Sequence, residues 1–117
     1  SKYIKKFQGE NGAWSCFIDD EKTLLETSGS VGIAAAFALA AEAGFIDSSY
    51  MGLAEKTLNW FMDRQNIEPD GFSKNVTQSN RIGNAFQRSG YRVIMPISSG
   101  LAAQIIAVKR RAGETFS

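Results

Sequence analysis

Ser28–Glu42 reads Ser-Gly-Ser-Val-Gly-Ile-Ala-Ala-Ala-Phe-Ala-Leu-Ala-Ala-Glu, and it carries no charge before its last residue. Ser28 or Ser30 can accept a backbone N–H at the start of a helix, and Gly44 can end that helix in a left-handed turn. A helix with one wet face is apolar on only part of its circumference, whereas every position from Val31 to Ala41 is apolar or glycine. The sequence therefore predicts a helix that is buried on all sides.

Further helices are predicted around this one, which we place at about 30–43. Met51, Ala54, Leu58 and Phe61 form a helical stripe, so we expect an amphipathic helix from about 47 to 65, antiparallel to the first because the connection is short. Other helices are expected at 1–7 and 98–111, with Gly113 ending the last and 112–117 forming a frayed tail. The sequence thus predicts one all-α segment over residues 1–117, with about four helices arranged as helical hairpins.

Composition excludes several classes of function. The chain has 13 Lys+Arg against 12 Asp+Glu, so neither a nucleic-acid partner nor a membrane surface is indicated. No apolar run reaches the length of a transmembrane helix. The chain has a single cysteine, Cys16, and no histidine, so we expect no disulfide, no His/Cys metal site and no cofactor.

Two parts of the chain follow the same plan of helix, glycine turn, loop and serine-capped apolar helix. Gln8 and Gly12 recur as Gln65 and Gly71, and Ser30-Val-Gly-Ile-Ala-Ala recurs as Ser98-Ser-Gly-Leu-Ala-Ala. Repeated helical hairpins stack into solenoids or close into rings, and a ring of six would need roughly 350 residues at this period. We therefore expect the missing walls of the apolar helix to lie outside these residues, and we predict self-association as a symmetric dimer.

Several motifs resemble the C-terminal part of glycoside hydrolases of families 88 and 105, the unsaturated glucuronyl and rhamnogalacturonyl hydrolases. Asn11-Gly12-Ala13-Trp14 is similar to the Asp-Gly-Leu-Trp loop of those enzymes but departs from it at Asn11 and Ala13. The resemblance spans about residues 8–111. It rests on Glu26-Thr-Ser-Gly-Ser-Val-Gly-Ile-Ala, on Gly44-Phe-Ile-Asp followed by Tyr50, and on Gln87-Arg-Ser-Gly-Tyr-Arg leading to Ser99-Gly-Leu.

The resemblance implies an (α/α)6 toroid, of which this chain is a partial toroid, with the active site at one end of the ring. In these families an aspartate protonates the C4=C5 enol ether of an unsaturated uronic acid and activates water. Those aspartates lie in the half of the ring that this sequence does not match, so we assign no catalytic residue and expect no hydrolase activity from the chain alone. The implied partner of the intact parent is a uronic-acid oligosaccharide, and the implied compartment is a bacterial cytoplasm or periplasm.

Six residues are candidates for substrate binding. Trp14 could stack on a sugar ring, or it could be a loop aromatic that closes the core. The long loop between the second and last predicted helices carries guanidinium, amide and phenol groups that suit a uronate carboxylate and sugar hydroxyls, although the same groups could satisfy the loop's own backbone. These loop candidates are Arg81, Gln87, Arg88, Tyr91 and Arg92.

Other polar residues are given structural interpretations. Asp19-Asp20 is better explained as a solvated turn than as a catalytic pair, and Glu26 as a carboxylate at the positive end of a helix dipole. Asn75-Val76-Thr77 matches a glycosylation sequon, to which we give little weight. The alternative function is a small all-helical binding or assembly module that uses its exposed apolar surface and has no catalytic activity.

Overall fold

The computed structural model describes residues 2–63, 65–76, 85, 88–89 and 92–116. Their elements, in chain order, are α1 (Lys2–Lys5), β1 (Ser15–Phe17), β2 (Asp20–Leu25), α2 (Thr27–Glu42), α3 (Tyr50–Phe61), β3 (Ser73–Val76), β4 (Val93–Met95) and α4 (Ile97–Phe116).

The prediction of an all-α chain is incomplete, because the four helices are accompanied by two small antiparallel sheets. β1 pairs with β2 with a register shift between Ser15 and Phe17, and β3 pairs with β4 through Ser73↔Met95 and Val76↔Val93. Each sheet has two strands and stands immediately before a long helix. An isolated hairpin of this size is marginal in water, so these sheets depend on the helices beneath them.

Helix α2 ends as the sequence predicts. Gly44 has φ of +81°, a conformation that glycine adopts without steric cost. The N–H groups of Gly44 and Phe45 donate to the carbonyls of Ala41 at 3.1 Å and Ala40 at 2.9 Å. This is the Schellman arrangement, which satisfies the last carbonyls of the helix and turns the chain back toward α3.

Helix α3 is amphipathic as predicted but shorter, ending at Phe61 rather than near residue 65. Ala54, Leu58 and Phe61 are buried, and the Asp47 carboxylate accepts the N–H of Ser49 at 2.8 Å just before the helix. After the helix, the Asp63 carboxylate accepts the N–H of Gln65 at 2.9 Å. This side-chain bond replaces the helical hydrogen bond that the Gln65 N–H would otherwise make, which accounts for the earlier end of the helix.

Helix α4 is longer than predicted, since it continues through Gly113 to Phe116. A glycine inside a helix costs about 1 kcal/mol relative to alanine but does not remove a backbone hydrogen bond. The expected stop at Gly113 is therefore wrong for the backbone of this chain. Among the described residues, no helix is both long enough and apolar enough to cross a membrane.

Helices α2 and α4 are parallel neighbours. At one end, the hydroxyls of Thr27 and Ser98 lie 2.9 Å apart; at the other, Arg111 Nε donates to Glu42 Oε2 at 2.8 Å. Thr27 and Ser98 are 71 residues apart in sequence, and Glu42 and Arg111 are 69 residues apart. Because these separations are nearly equal, the two helices stay in register along their shared length. Helix α3 lies between them in the sequence and is antiparallel to both.

The core lies where α2 meets α3 and α4. Trp14, Phe37 and Tyr50 form a row of edge-to-face aromatic contacts, with ring centroids 5.9 Å and 4.9 Å apart. Phe61 and Ile105 close the row on the α3 and α4 sides, and both are fully buried.

One face of α2 stays open within this chain. Ala36 and Ala43 are exposed, and Leu39 is 40% exposed. The expectation of burial on all sides is therefore not met by the chain's own atoms.

The repeat predicted from sequence is present in the backbone. Gly12 and Gly71 have φ of +94° and +91°. Their N–H groups donate to the carbonyls of Gly9 and Glu68, in each case at 2.9 Å. In both turns the side chain before the glycine also bonds to the residue after it. Asn11 accepts the N–H of Ala13, and Asp70 accepts the N–H of Phe72, in each case at 3.0 Å. The two halves thus repeat a plan of helix, turn, β-hairpin and helix.

Candidate functional site

Several buried polar side chains lie at the end of the molecule where α2 and α4 begin, among them Glu26, Thr27 and Ser98. Both β-hairpins lead into these helix starts, so β2 delivers Glu26 to α2 and β4 delivers Pro96 to α4. Thr27 Oγ1 donates to the carbonyl of Lys74 at 2.8 Å and also contacts Ser98 Oγ. A buried hydroxyl pair therefore joins both helices to β3, and this end of the molecule is the candidate site.

Glu26 caps α2 with a buried carboxylate. Its side chain accepts the N–H of Ser28 at 3.0 Å on Oε1 and the N–H of Gly29 at 2.6 Å on Oε2, and the Ser28 hydroxyl donates to Oε1 at 2.5 Å. The residue is 4% exposed. The predicted cap at Ser28 or Ser30 is wrong, because Glu26 is the N-cap residue and its carboxylate satisfies two helix N–H groups at once. The structural interpretation of Glu26 is confirmed.

Serines fasten the start of α4 to the second turn. The N–H of Ser99 donates to Ser73 Oγ at 2.9 Å, and the Ser99 hydroxyl donates to the carbonyl of Gly71. Ser73 and Ser98 are fully buried. These bonds satisfy groups that a helix start leaves without intrahelical partners. They hold the second helix start in place as Glu26 holds the first.

Arg88 binds a carboxylate of this same chain. Its Nε and Nη2 atoms both donate to Asp20 Oδ2, at 3.1 Å and 2.7 Å. The Arg88 side chain is 46% exposed and that of Asp20 is 16% exposed. Asp20 also accepts the N–H of Lys22. The expected solvated turn is found at Asp19, which is exposed, but it is wrong for Asp20, which is the first residue of β2 and has an ion pair that the sequence did not reveal.

Arg92 binds the backbone of β2. Its Nη2 atom donates to the carbonyls of Thr23 at 2.7 Å, Leu24 at 3.2 Å and Leu25 at 3.2 Å. Leu24 has φ of +64°, in the left-handed region that a leucine seldom adopts. Arg92 therefore donates hydrogen bonds to the carbonyl groups that this strained segment directs outward.

Trp14 lies in the core. The residue is 1% exposed, its Nε1 donates to the carbonyl of Ile4 at 2.9 Å, and its backbone N–H donates to Ser30 Oγ at 2.8 Å. In this arrangement neither face of the indole is open to a sugar, so the geometry supports the core-closing interpretation. A stacking role stays a prediction that would require the loop to move.

The remaining loop candidates, Arg81, Gln87 and Tyr91, lie outside the described residues. Their contact with substrate stays a prediction. Of the six candidates, the structure places Arg88 and Arg92 together on the first β-hairpin and Trp14 beneath it.

A cleft of about 500 Å³ opens beside this hairpin. Its floor combines apolar side chains with two carboxylates, an amide and a hydroxyl. The lining residues are Phe7, Gly9, Glu10, Asn11, Ala13, Ser15, Glu21, Leu24 and Leu25. The sequence did not predict this cleft, because its lining combines the first glycine turn with residues of β1 and β2, two strands that were not predicted.

Two carboxylates at this end of the molecule already have partners within the chain. The Glu26 carboxylate is occupied as a helix cap and the Asp20 carboxylate as an ion-pair partner. In the part of the chain that the structure describes, no three Cys, Asp or Glu residues are grouped so that they could hold a metal ion.

The fold is that of known glycoside-hydrolase-like proteins. The chain superposes with a TM-score of 0.80 on a possible member of the GH105 family from Klebsiella pneumoniae, with 25% identity over 95% of this chain and 29% of that one. A possible GH105 member from Salmonella enterica serovar Paratyphi A gives the same TM-score and coverage at 24% identity. The chain thus spans less than a third of the length of these solved structures. None of the curated proteins matches it.

The family model described as Glycosyl Hydrolase Family 88 matches residues 1–108. The match covers nearly the whole sequence, and the chain belongs to this family. The resemblance drawn from the Glu-Thr-Ser-Gly-Ser helix start and the glycine turns is confirmed.

Proposed function

We propose that this chain is the C-terminal segment of a glycoside hydrolase that acts on unsaturated uronyl oligosaccharides. The observation that carries the proposal is the family match over residues 1–108 together with a shared fold over 95% of the chain. In an (α/α)6 toroid, the segment would supply two parallel inner helices and the polar loops at their starts. An aspartate from the rest of the ring would protonate the enol ether and activate water, so the chain alone has no hydrolase activity.

Arg88 supports the uronate part of this proposal. Its guanidinium already binds a carboxylate in a half-exposed position, and Arg–carboxylate geometry favours planar, charge-assisted contacts. A uronate could take the place of Asp20, or bind beside it. Arg81, Gln87 and Tyr91 belong to the same loop in sequence and complete the proposed set of sugar contacts.

The test has two parts. The purified chain is first incubated with an unsaturated uronyl disaccharide while loss of the C4=C5 absorbance is followed, and we expect no turnover. Turnover would show that the chain carries a catalytic group of its own.

The chain is then mixed with the Klebsiella relative from which the matching segment has been deleted. We expect the mixture to recover hydrolysis that neither part shows. Arg88→Ala should lower that activity at least tenfold, whereas Arg110→Ala, at an exposed position on α4, should leave it unchanged. A complex that forms without activity, on a disaccharide that the intact relative cleaves, would overturn the proposal.

The alternative is a helical assembly module without catalytic function. The open apolar face of α2 favours it, because soluble chains seldom leave such a face in water. This alternative predicts that the chain associates strongly while uronyl oligosaccharides leave its melting temperature unchanged. Under either function we propose that the chain joins missing ring segments or other copies of itself.

A further inference from the structure

The first glycine turn contains the dipeptide Asn11-Gly12, whereas the second turn contains Asp70-Gly71 at the same position. Asparagine followed by glycine is the dipeptide most prone to deamidation, because glycine has no side chain to keep its backbone nitrogen away from the asparagine amide. Aspartate at that position has no amide to lose. The two turns therefore share a backbone conformation but differ in chemical stability.

Deamidation requires the backbone to move. The Gly12 nitrogen loses its proton and attacks Asn11 Cγ, so a new N–Cγ bond forms while the Cγ–Nδ2 bond breaks and ammonia leaves with a proton. One water molecule then opens the succinimide ring at either of its carbonyls, which gives aspartate or isoaspartate. The peptide groups around Gly12 must rotate out of the turn before the nitrogen can make this attack.

In the folded chain, contacts on several sides hold Gly12 in place. Its N–H donates to the carbonyl of Gly9 at 2.9 Å. Its carbonyl accepts the hydroxyl of the fully buried Thr57 at 2.5 Å and Gln8 Nε2 at 3.0 Å. A Cβ at Gly12 would lie 2.7 Å from the backbone of Lys56, so α3 packs directly against the turn. Rotation of this glycine would break buried hydrogen bonds and push against α3.

The second turn is held less tightly. The N–H of Gly71 donates to Glu68, and its carbonyl accepts the Ser99 hydroxyl. A Cβ at Gly71 would meet nothing within 4 Å among the described atoms, and the neighbouring Asp70 and Phe72 are exposed. The Gly71 backbone can therefore rotate with less resistance from packing.

The bond from the side chain before each glycine does not distinguish the turns. Asn11 and Asp70 each accept the N–H two residues further on, at the same 3.0 Å. What distinguishes the first turn is the pair of donors on the Gly12 carbonyl and the contact with the α3 backbone. The labile dipeptide thus lies in the turn that the fold holds more firmly.

We propose that Asn11 is a deamidation site that Gln8, Thr57 and the α3 backbone protect, and that it reacts when the first turn opens. Its rate in the folded chain is then the rate in an open chain multiplied by the fraction of time that the turn is open. Isoaspartate adds a carbon to the backbone, so the Gly12 groups could not return to the same partners. Formation of isoaspartate would therefore make the opening irreversible.

The first experiment compares both turns in one molecule. The chain carrying Asp70→Asn is kept in mildly alkaline buffer, and peptide mapping follows deamidation at both positions, with and without concentrated urea. In urea we expect similar rates, because both sites are then unfolded Asn-Gly dipeptides. In the folded chain, Asn11 should react about tenfold or more slowly than in urea, and more slowly than the site of Asp70→Asn.

Two outcomes of this comparison overturn the proposal. One is an Asn11 rate that urea does not change. The other is an Asn11 rate in the folded chain that equals or exceeds the rate at the second turn.

The second experiment removes the protecting hydroxyl. In the Asp70→Asn background, Thr57→Val keeps the shape of the buried side chain but removes its bond to the Gly12 carbonyl. Deamidation at Asn11 should become several-fold faster while the second turn reacts as before. Thr57→Ser is the matched control, because it keeps the hydroxyl and should keep Asn11 slow.

The second turn also reports whether Thr57→Val unfolds the whole chain, since both sites would then react as fast as in urea. In that case Gln8→Leu, at a half-buried position, removes the other donor to the Gly12 carbonyl and should give the same selective acceleration. Folded variants in which Asn11 stays slow, or in which both sites accelerate equally, overturn the proposal.

The protecting bonds all join residues of this chain, and none depends on the proposed hydrolase activity. Protection of Asn11 in a chain that never restores hydrolysis would sustain the deamidation site while removing the proposed function. Restored hydrolysis by a chain whose Asn11 reacts as fast as in urea would do the reverse.

Discussion

At the scale of single residues, the buried carboxylate of Glu26 is the strongest local constraint on where α2 begins. A carboxylate near a helix N-terminus gains from the helix dipole, and here it also bonds to two backbone N–H groups. Glu26→Ala should lower the free energy of unfolding by about 1–2 kcal/mol, the usual loss for a helix cap. A lower urea midpoint with an unchanged slope in equilibrium unfolding would show it.

The matched control for Glu26 is Glu55, an exposed residue of α3 whose closest ion-pair distance, to Lys109, is 3.9 Å. Surface pairs of this kind contribute little, so Glu55→Gln should change the free energy of unfolding by less than about 0.5 kcal/mol. Equal effects at Glu26 and Glu55 would mean that the cap is not needed.

Arg92 gives a second prediction at this scale. Its forked guanidinium reaches three consecutive carbonyls of β2, whereas a lysine ammonium is a single point of charge. Arg92→Lys should therefore raise amide hydrogen exchange in β1 and β2 several-fold while α3 exchanges as before. Unchanged exchange in the hairpin would show that these bonds do not hold the segment of Leu24.

The role of a residue could be predicted from the sequence only where its hydrogen-bond partner lies a few residues away along the chain. Glu26 acts on N–H groups two and three residues away, and its interpretation as a carboxylate at the start of a helix was accurate. Asp20 and Arg88 are distant in sequence, and nothing local signals that they pair. The two uses considered for Trp14 require the same residue type, so only packing could favour one of them.

At the scale of elements, the two glycine turns provide a matched pair of substitutions. Both have positive φ, where an alanine costs about 1–2 kcal/mol. A Cβ at Gly71 meets nothing within 4 Å among the described atoms, whereas one at Gly12 would lie 2.7 Å from the backbone of Lys56. Gly71→Ala should cost about that strain alone, and Gly12→Ala should cost clearly more.

Thermal and urea unfolding of the two alanine variants measure the difference. A larger loss at Gly71 than at Gly12 would contradict the close approach of the first turn to α3. Equal losses would mean that the Lys56 backbone moves aside without cost.

Helices α2, α3 and α4 were predictable because each carries a long periodic or uniformly apolar run. The strands were not, since β1 and β4 have three residues each and β2 reads Asp-Glu-Lys-Thr-Leu-Leu without alternation. The end of α2 was accurate, because a glycine with positive φ decides it. The end of α3 was placed too late, because the turn at Asp63 ends the helix before residue 65. The end of α4 was inaccurate at Gly113, where glycine was given more weight than its helical cost supports.

At the scale of the whole molecule, the far ends of α2 and α4 should make stability depend on pH. The hydrogen bond from Arg111, reinforced by its charge, lowers the pKa of Glu42 below 4.5. The unfolded chain then binds more protons than the folded chain in this range. The contribution is fully present above the unfolded pKa and is lost as pH falls through the folded pKa.

Glu42→Gln should therefore flatten the acid side of the stability profile below about pH 4.5, the ordinary carboxyl value. Stability is measured by urea unfolding at a series of pH values. A profile that keeps its full acid slope would show that the Arg111 contact is not populated in solution. The pKa of Asp47 is also lowered, by hydrogen bonds from Ser49, so some slope should remain in the variant.

The incomplete cover of α2 could be predicted, because a uniformly apolar helix needs more cover than two neighbours provide. The open edge of α2 bears out that reasoning for this chain taken by itself. Which surface is open, and that α4 is parallel to α2, could not be predicted from local patterns. Both depend on contacts between residues about 70 positions apart, such as Thr27 with Ser98.

The same long separation has a consequence for synthesis on the ribosome. α2 emerges well before α4, and at roughly 5–20 residues per second the stretch between them takes on the order of 3–11 s to translate. During that time solvent or a chaperone contacts the apolar face of α2 that α4 later covers. Slowing elongation between the codons for Glu42 and Ser98 would lengthen this interval, and the yield of folded protein should fall accordingly.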